Sequence, residues 1–382
     1  MPDLLVALRE ALSGAGPALL PLAPGDAGPP VADHLADDPA TDPTALAVAT
    51  SGSTGQRKVT LLPASALLAS AAATHDRLGG AGQWLLALPL QHVAALQVLT
   101  RSLVAGTTPA VMDTRERFEA EPFGTAAARL RPGRRYTALV PTQLRRLLGS
   151  AAGCRILAGF DAVLVGGAAL SPILADEARE AGVNVVVSYG MTETCGGCVY
   201  DGVPLDGVAV RSDDDGRIHL GGPTVARGYL AARDEAAGDL TVDGDGLRWF
   251  RSGDLGAWDG ERLTVHGRAD DVINTGGLKV SPRAVEEELL RMPEIAQAVV
   301  VGAPDEEWGE RVCAMIVVAD GHRLRPGWWE DLGDRLRPAV GAHGVPRYWK
   351  VADEIPVIGV GKPDRPAISA LFEHAHLAWS RI

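Results

Sequence analysis

Apolar positions recur at helical spacing from Leu4 to Leu12, thin out through a stretch rich in Ala, Pro, Gly and Asp, and return as a compact run from Ala45 to Ala49. The pattern predicts a loose lead-in over residues 1–43 with one short helix, then an ordered fold. Beyond Ala45, short apolar or β-branched runs (Trp84 to Leu88, Tyr136 to Val140, Ala162 to Val165, Val183 to Val187) alternate with Ala/Leu/Arg-rich segments of helical length. That alternation predicts βαβ units and a parallel-type sheet. After Gly202 the texture changes: Gly/Asp turns separate strand candidates such as Arg217 to Leu220 and Leu263 to Val265, as in an antiparallel β-rich subdomain. After Gly267 it changes again. Ser281 reads as an N-cap with Pro282 in the first helical turn, and Val285, Leu289 and Met292 follow at helical spacing. The runs Ala298 to Val301 and Val312 to Val318, with a helix near Trp328 to Leu336, complete a small α+β unit. The expected organisation is a large N-terminal domain over residues 1–268, with α/β sheets and a β-rich subdomain, and a small C-terminal α+β domain over 269–382. No internal repeat is present.

Composition narrows the function. With 46% apolar and 22% charged residues over 382 positions, the chain is long enough for a substantial core and is neither fibrous nor wholly disordered. A formal charge of −12 argues against nucleic acid and anionic lipid as partners, so any anionic ligand is captured locally. Four cysteines are too few for a disulfide scaffold, and neither a secretory leader nor a membrane span is apparent, which predicts a cytoplasmic protein. Only Lys58, Lys279, Lys350 and Lys362 break an otherwise all-arginine set of 36 basic residues. A lysine in that background suggests a position where a compact ammonium is wanted rather than a planar fork.

Five segments carry candidate chemistry. Thr50 to Lys58, TSGSTGQRK, offers hydroxyls, glycines and a lysine suited to a polyphosphate, namely Thr50, Ser51, Gly52, Ser53, Thr54, Gly55 and Lys58, without the spacing of a Walker A loop. Ser188 to Thr194, SYGMTET, follows a strand candidate and so is expected at the carboxyl end of a parallel sheet; Thr192 is a phosphate donor there, and Glu193 a Mg²⁺ ligand. Gly166, Gly167 and Ala168 are small enough to let a planar purine approach the backbone. In RSGDLG, Asp254 is placed to accept both hydroxyls of a ribose. Gly267 to Pro282 combines a charged joint, the pair Gly276 and Gly277, and Lys279; a hinge or an interdomain linker would each explain it. Last, Gly359 to Pro363 reads as an exposed loop presenting Lys362. Cys195 and Cys198 are spaced like a zinc or redox pair but lack a second pair of ligands.

Taken in order over some 320 residues, these segments resemble the adenylate-forming superfamily of acyl-CoA synthetases, adenylation domains and luciferases. The resemblance implies ATP and AMP contacts from Ser51 to Lys58 and from Ser188, Tyr189, Gly190, Met191 and Thr192, ribose contacts from Asp254 and Arg268, and Mg²⁺ on Glu193. It also implies a mobile C-terminal domain turning about Asp270, a catalytic lysine at Lys362, and a pantetheine path at Gly276, Gly277 and Lys279. Within the superfamily, Pro89 to Leu103 and Tyr189 to Val208 look like the o-succinylbenzoyl-CoA synthetases of menaquinone biosynthesis. The substrates so implied are o-succinylbenzoate, ATP and CoA, with a homodimer left open. For the acid, Gly190, Gly196 and Gly197 supply room, and His92, Arg101 and Ser188 are candidate donors; His92 also reads as a core histidine or a gate. Two departures stand out: the phosphate loop has Gly-Gln-Arg-Lys where most relatives place a proline, and roughly the first hundred residues of longer relatives have no counterpart. An adenylation enzyme for another aryl or fatty acid, delivering to CoA or a carrier protein, is the alternative. A non-catalytic binder of the same fold is disfavoured by the presence of Lys362, Glu193 and Asp254.

Overall fold

A computed structural model describes residues 1–23, 25–26, 42–51, 57–115, 118–230, 239–358, 362–373 and 379–381. The fold is mixed α/β and α+β, and the chain divides into two compact units. The first comprises Met1–Leu170, Glu177–Ser252 and Trp258–Thr264; the second comprises Ser171–Asp176, Gly253–Ala257 and Val265–Ile382.

The short helix expected in the lead-in is present. Helix α1 (Pro2–Leu12) buries Leu5, Leu8 and Ala11 at i, i+3 and i+6, and Leu19 bridges to Leu46 of β1 (Thr44–Ser51). Strand β1 pairs antiparallel with β2 (Arg57–Pro63), whose other edge takes β12 (Gly228–Tyr229).

A seven-stranded sheet forms the centre of the first unit, in the order β4-β3-β5-β6-β7-β8-β9. Strands β3 (Gln83–Leu86), β4 (Ala110–Val111), β5 (Arg135–Leu139), β6 (Ala162–Gly166) and β7 (Val185–Met191) run parallel; β8 (Gly196–Tyr200) and β9 (Val203–Pro204) return antiparallel. Helices α2 (Ala64–Arg77) and α3 (Val93–Val104) carry long buried faces. Trp84 and Tyr136, both fully buried, lie with ring centroids 5.1 Å apart. Strand β7 departs from the sequence reading: it begins at Val185, not Val183, and runs through Met191, so Ser188 to Met191 are strand and not the loop after one. The reason is tertiary, because β8 folds back to supply partners at Ser188↔Tyr200 and Met191↔Gly196. A further sheet, in the order β10 (Ala209–Ser212), β11 (Arg217–Gly221), β14 (Arg248–Trp258) and β13 (Leu240–Val242), with β15 (Leu263–Arg268) on β14, forms the β-rich region after Gly202.

In the second unit, β18 (Ile295–Asp305) and β19 (Gly309–Val318) are long antiparallel partners buried on both faces. Val300, Val312, Ala314 and Ile316 face a cluster with Val285, Leu289, Leu336 and Trp349; Val299, Val301, Cys313 and Met315 face Ile368 and Phe372. Double burial explains why these strands read as unbroken apolar runs rather than an alternation. The helix begun at Trp328 extends to Gly344, with a kink at Gly341, where φ is 71°. Among the described residues, no helix is long and apolar enough to cross a membrane.

Candidate functional site

In the first unit the β1–β2 hairpin sets Thr50 opposite Lys58, and the Thr50 hydroxyl donates to the Lys58 carbonyl at 3.3 Å. Gly52, Ser53, Thr54 and Gly55 lie outside the described residues, as does the side chain of Ser51. Tyr229 sits opposite Thr60, and Lys58, two residues from Thr60 on the same strand face, therefore points toward its ring. The Lys58 ammonium lies 5.3 Å from the Tyr229 ring centroid. The Tyr229 hydroxyl donates to Glu193 Oε1 at 2.8 Å, and the Ala226 N–H donates to the Glu193 carbonyl at 2.8 Å. Burial, and next to it the Glu193 carboxylate, push the Tyr229 pKa above its ordinary value, so the phenol stays protonated and remains a donor.

Glu193 stands in a single 3₁₀ turn, Thr192–Thr194, that follows β7. Thr194 is buried and locks this turn, accepting from the Met191 N–H at 3.0 Å and donating to the Gly196 carbonyl at 2.8 Å. Thr192, Glu193, Ser188, Tyr189 and Gly190 are half-buried. Beside them, Gly166 ends β6 opposite Ser188, and Gly167 and Ala168 are exposed past the strand end. This is the carboxyl edge of the parallel strands, where open α/β sheets bind ligands.

One face of α3 packs on β8. A Cβ at Gly196 would meet Gln97 Cγ at 3.6 Å, and one at Gly197 would sit 1.9 Å from Ser188 Oγ, so only glycine fits at 197. Arg101 is 3% exposed; its Nη2 donates to the Tyr200 hydroxyl at 3.3 Å, and its guanidinium lies 5.0 Å from the Trp84 ring centroid. Burial pulls the Arg101 pKa down, opposed by Tyr200. His92 is the half-buried residue that precedes α3, its N–H donating to the Pro89 carbonyl at 3.2 Å. Cys195 and Cys198 are buried free thiols whose pKa is raised by burial, to about 12 for Cys198. Among the described residues, no group of three His, Cys, Asp or Glu is placed to hold a metal.

In the second unit Arg268 Nη1 is 3.6 Å from Asp254 Oδ1, and its Nη2 donates to Asp270 Oδ2 at 3.1 Å. Burial alone would lower the Arg268 pKa; the carboxylates of Asp254, Asp270 and Asp271 outweigh it and raise it. Thus the ribose candidates Asp254 and Arg268 and the hinge candidate Asp270 form one charged cluster. Gly276 and Gly277 make the two-residue turn joining β16 (Ile273–Thr275) to β17 (Leu278–Val280), with φ of +58° and +78°. Positive φ at both central positions is the turn that antiparallel hairpins favour, and it is costly for any residue with a Cβ. Lys279 is exposed two residues beyond it. Lys362 is also exposed and pairs with Ile358 in a short hairpin whose tip, residues 359–361, lies outside the described residues.

Two residues absent from the sequence reading belong to these clusters. Tyr229 had only a Gly-Tyr dipeptide to mark it, and no local period could reveal its partner 36 positions away. Arg365, three residues past Lys362, donates to Glu286 Oε1 at 2.8 Å and to the Val300 carbonyl at 2.6 Å, and its Nε is 3.1 Å from Asp271 Oδ2.

Comparison with known proteins bears on the family. The family described as AMP-binding enzyme matches residues 13–230, and the AMP-binding enzyme C-terminal domain matches 284–362. A probable 2-succinylbenzoate–CoA ligase of Mycobacterium tuberculosis is 43% identical over 372 residues, covering 97% of this chain and 95% of the relative. A 2-succinylbenzoate–CoA ligase of Enterococcus faecalis is 32% identical over 294 residues, covering 70% of this chain and 58% of the relative. The solved o-succinylbenzoate CoA synthetase of Bacillus subtilis, in complex with its acyl-adenylate intermediate, superposes with a TM-score of 0.71 at 28% identity, over 86% of this chain and 69% of that one.

Proposed function

The chain belongs to the AMP-binding enzyme family, and from that premise we propose that it is an ATP-dependent acid–thiol ligase making o-succinylbenzoyl-CoA in menaquinone biosynthesis. The observation that carries the reading is the nearly end-to-end match with the Mycobacterium tuberculosis relative.

The chemistry follows from the acid. A carboxylate resists attack by a thiolate because its own charge must be displaced, so it is activated first. One carboxylate oxygen of o-succinylbenzoate attacks the α-phosphorus of ATP, the bond to the β-phosphate bridging oxygen breaks, and pyrophosphate leaves. The CoA thiolate then attacks the acyl carbon, and AMP departs with the electron pair of the acyl–oxygen bond.

In the first step the Thr50 to Lys58 hairpin holds the phosphates, with Lys58 over Tyr229 contributing a positive charge. Glu193 suits Mg²⁺, which takes one carboxylate together with phosphate oxygens and water; when bound there, the ion neutralises phosphate charge. Tyr229 holds Oε1 of that carboxylate in place. Gly166, Gly167 and Ala168 form the floor under the purine, and Ser188, Tyr189, Gly190, Met191 and Thr192 line the nucleotide and acyl sides. Asp254 and Arg268 take the ribose, and Lys362 bridges the attacking carboxylate and the α-phosphate as a preorganised cation.

The second step needs different groups around the same intermediate. The 269–382 domain turns about Asp270, withdrawing Lys362 and presenting the Gly276–Gly277 turn and Lys279 to the pantetheine arm. A turn with no Cβ lets the arm run against the backbone. Gly190, Gly196 and Gly197 leave room for the aromatic ring; His92, Ser188 and Arg101 face the acid. The buried Arg101 guanidinium, with a hydroxyl but no carboxylate beside it among the described residues, supports a substrate with a second negative charge. Reliance on ATP and CoA and the sparse free cysteines support a cytoplasmic location.

The test is mass spectrometry of products from the pure protein with ATP, Mg²⁺ and a panel of acids, with and without CoA. The expected result is an o-succinylbenzoyl adenylate without CoA and the thioester with it. An adenylate from a different acid only would retain the chemistry and overturn the substrate.

A further inference from the structure

The interior of the first unit holds a second unsatisfied polar group next to Arg101. Gln97 and Arg101 stand one helical turn apart on α3 and share a face. Gln97 is 0% exposed, and neither its Nε2 nor its Oε1 has a hydrogen-bond partner among the described residues. Arg101 Nε is likewise buried without a partner. Across from them on β8, Gly196 packs against the Gln97 stem and Tyr200 takes Arg101 Nη2. Buried amide and guanidinium N–H groups without partners are costly, and folded proteins rarely keep them without a use. Here two of them converge on the same strand where a glycine pair, Gly196 and Gly197, removes side-chain bulk.

We propose that Gln97 is a specificity-determining residue, its Nε2–H donating, together with Arg101 Nε–H, to the carboxylate of the acid that is not activated. The proposal rests on the o-succinylbenzoate reading and deepens it. One acidic group satisfies both donors at once, and it neutralises a guanidinium whose hydrogen-bond partner among the described residues is a tyrosine hydroxyl. A monocarboxylic acid leaves both donors unmet after its own desolvation, and sites with unmet buried donors reject the ligand that lacks the group.

The experiment compares the wild type with Gln97→Leu and Gln97→Glu in pyrophosphate exchange, using o-succinylbenzoate and the two analogues that each lack one carboxylate. For Gln97→Leu, KM for o-succinylbenzoate rises by about 10- to 100-fold, the range for losing a hydrogen bond to a charged group, while KM for ATP is unchanged. The analogue without the held carboxylate, already poor with the wild type, changes by less than about 3-fold, because the lost bond was never made to it. Gln97→Glu pairs with Arg101 inside the protein and abolishes activation of o-succinylbenzoate. Both variants melt at or above the wild-type temperature, since an unpaired buried amide has been removed or an ion pair completed, which separates recognition from misfolding. An unchanged KM in Gln97→Leu, or equal losses for o-succinylbenzoate and that analogue, overturns the assignment while leaving the ligase intact. A wild type that activates another acid and not o-succinylbenzoate overturns the substrate reading and this assignment with it.

Discussion

The Tyr229 hydroxyl donates to Glu193 Oε1 at 2.8 Å while the Tyr229 ring carries the Lys58 ammonium 5.3 Å from its centroid. One side chain therefore fixes two groups of opposite charge, one from the β1–β2 hairpin and one from the turn after β7. Glu193 needs such a hold because its own turn is three residues long.

Replacing Tyr229 by Phe keeps the ring under Lys58 and removes the bond to Glu193. Adenylation should fall about 10-fold, the worth of one hydrogen bond to a charged group. The Mg²⁺ concentration for half-maximal pyrophosphate exchange, and for half-saturation of ATP binding in calorimetry, should rise. Thioester formation from supplied adenylate should be unaffected; an unchanged Mg²⁺ requirement would remove Tyr229 from the site.

Lys362→Ala should slow adenylation by about 10²–10³, as for loss of one preorganised donor, and leave thioester formation from synthetic acyl-adenylate close to wild type. Single-turnover assays of each half-reaction decide this. Equal loss in both would end the division of labour between Lys362 and the Gly276–Gly277 turn.

Arg365→Met strands the Glu286 carboxylate, which burial already pushes toward protonation against the pull of Arg365. The pair is partly buried and Glu286 keeps the Val300 N–H, so removing Arg365 costs less than the about 3–5 kcal/mol of a fully buried pair, yet denaturant midpoints should drop clearly. In the variant the folded-state pKa of Glu286 rises further above its unfolded value. The deficit should therefore shrink as pH falls and the carboxylate takes up its proton. A deficit independent of pH would point to lost packing instead.

His75 is held neutral. Burial first, and the charge of Arg101 second, lower its pKa from 6.5 to about 4, and its Nε2 accepts from Trp84 Nε1 at 3.2 Å. Between pH 6.5 and about 4 the unfolded chain binds a proton that the folded chain does not. Stability from this residue is full above pH 6.5 and declines as pH falls through that window. His75→Gln, which keeps an acceptor for Trp84, should flatten that part of the stability profile measured by urea unfolding. An unchanged slope would assign it to other groups.

The parallel strands were legible because their apolar runs are bounded by turn residues, and β3, β5 and β6 lie within a residue or two of their sequence positions. Strand β7 was not: Ser188 and Gly190 have little strand preference, and beyond Ser188, where the pairing with Gly166 of β6 ends, the ladder partners come from the return of β8. Helix α1 was legible as a short helical pattern, but its packing was not, because its three buried residues mean little until β1 and α2 are beside them.

The sequence by itself determined which chemistries are present and in what order: the hydroxyl-rich hairpin, Glu193 after a strand, Asp254, the glycine pair and the solitary Lys362. Those signals are local, set by residue type and spacing along a few positions of chain. The tertiary structure alone decided which of them meet. Tyr229 reaches Glu193 across 36 positions, and Arg101 reaches Tyr200 across 99, because sheet order and strand register bring distant segments side by side. Burial was decided there too: Gln97 carries no signal of its own in the sequence and Arg101 reads only as a candidate donor, and both hold unsatisfied donors only when α3 closes on β8 and shuts out water.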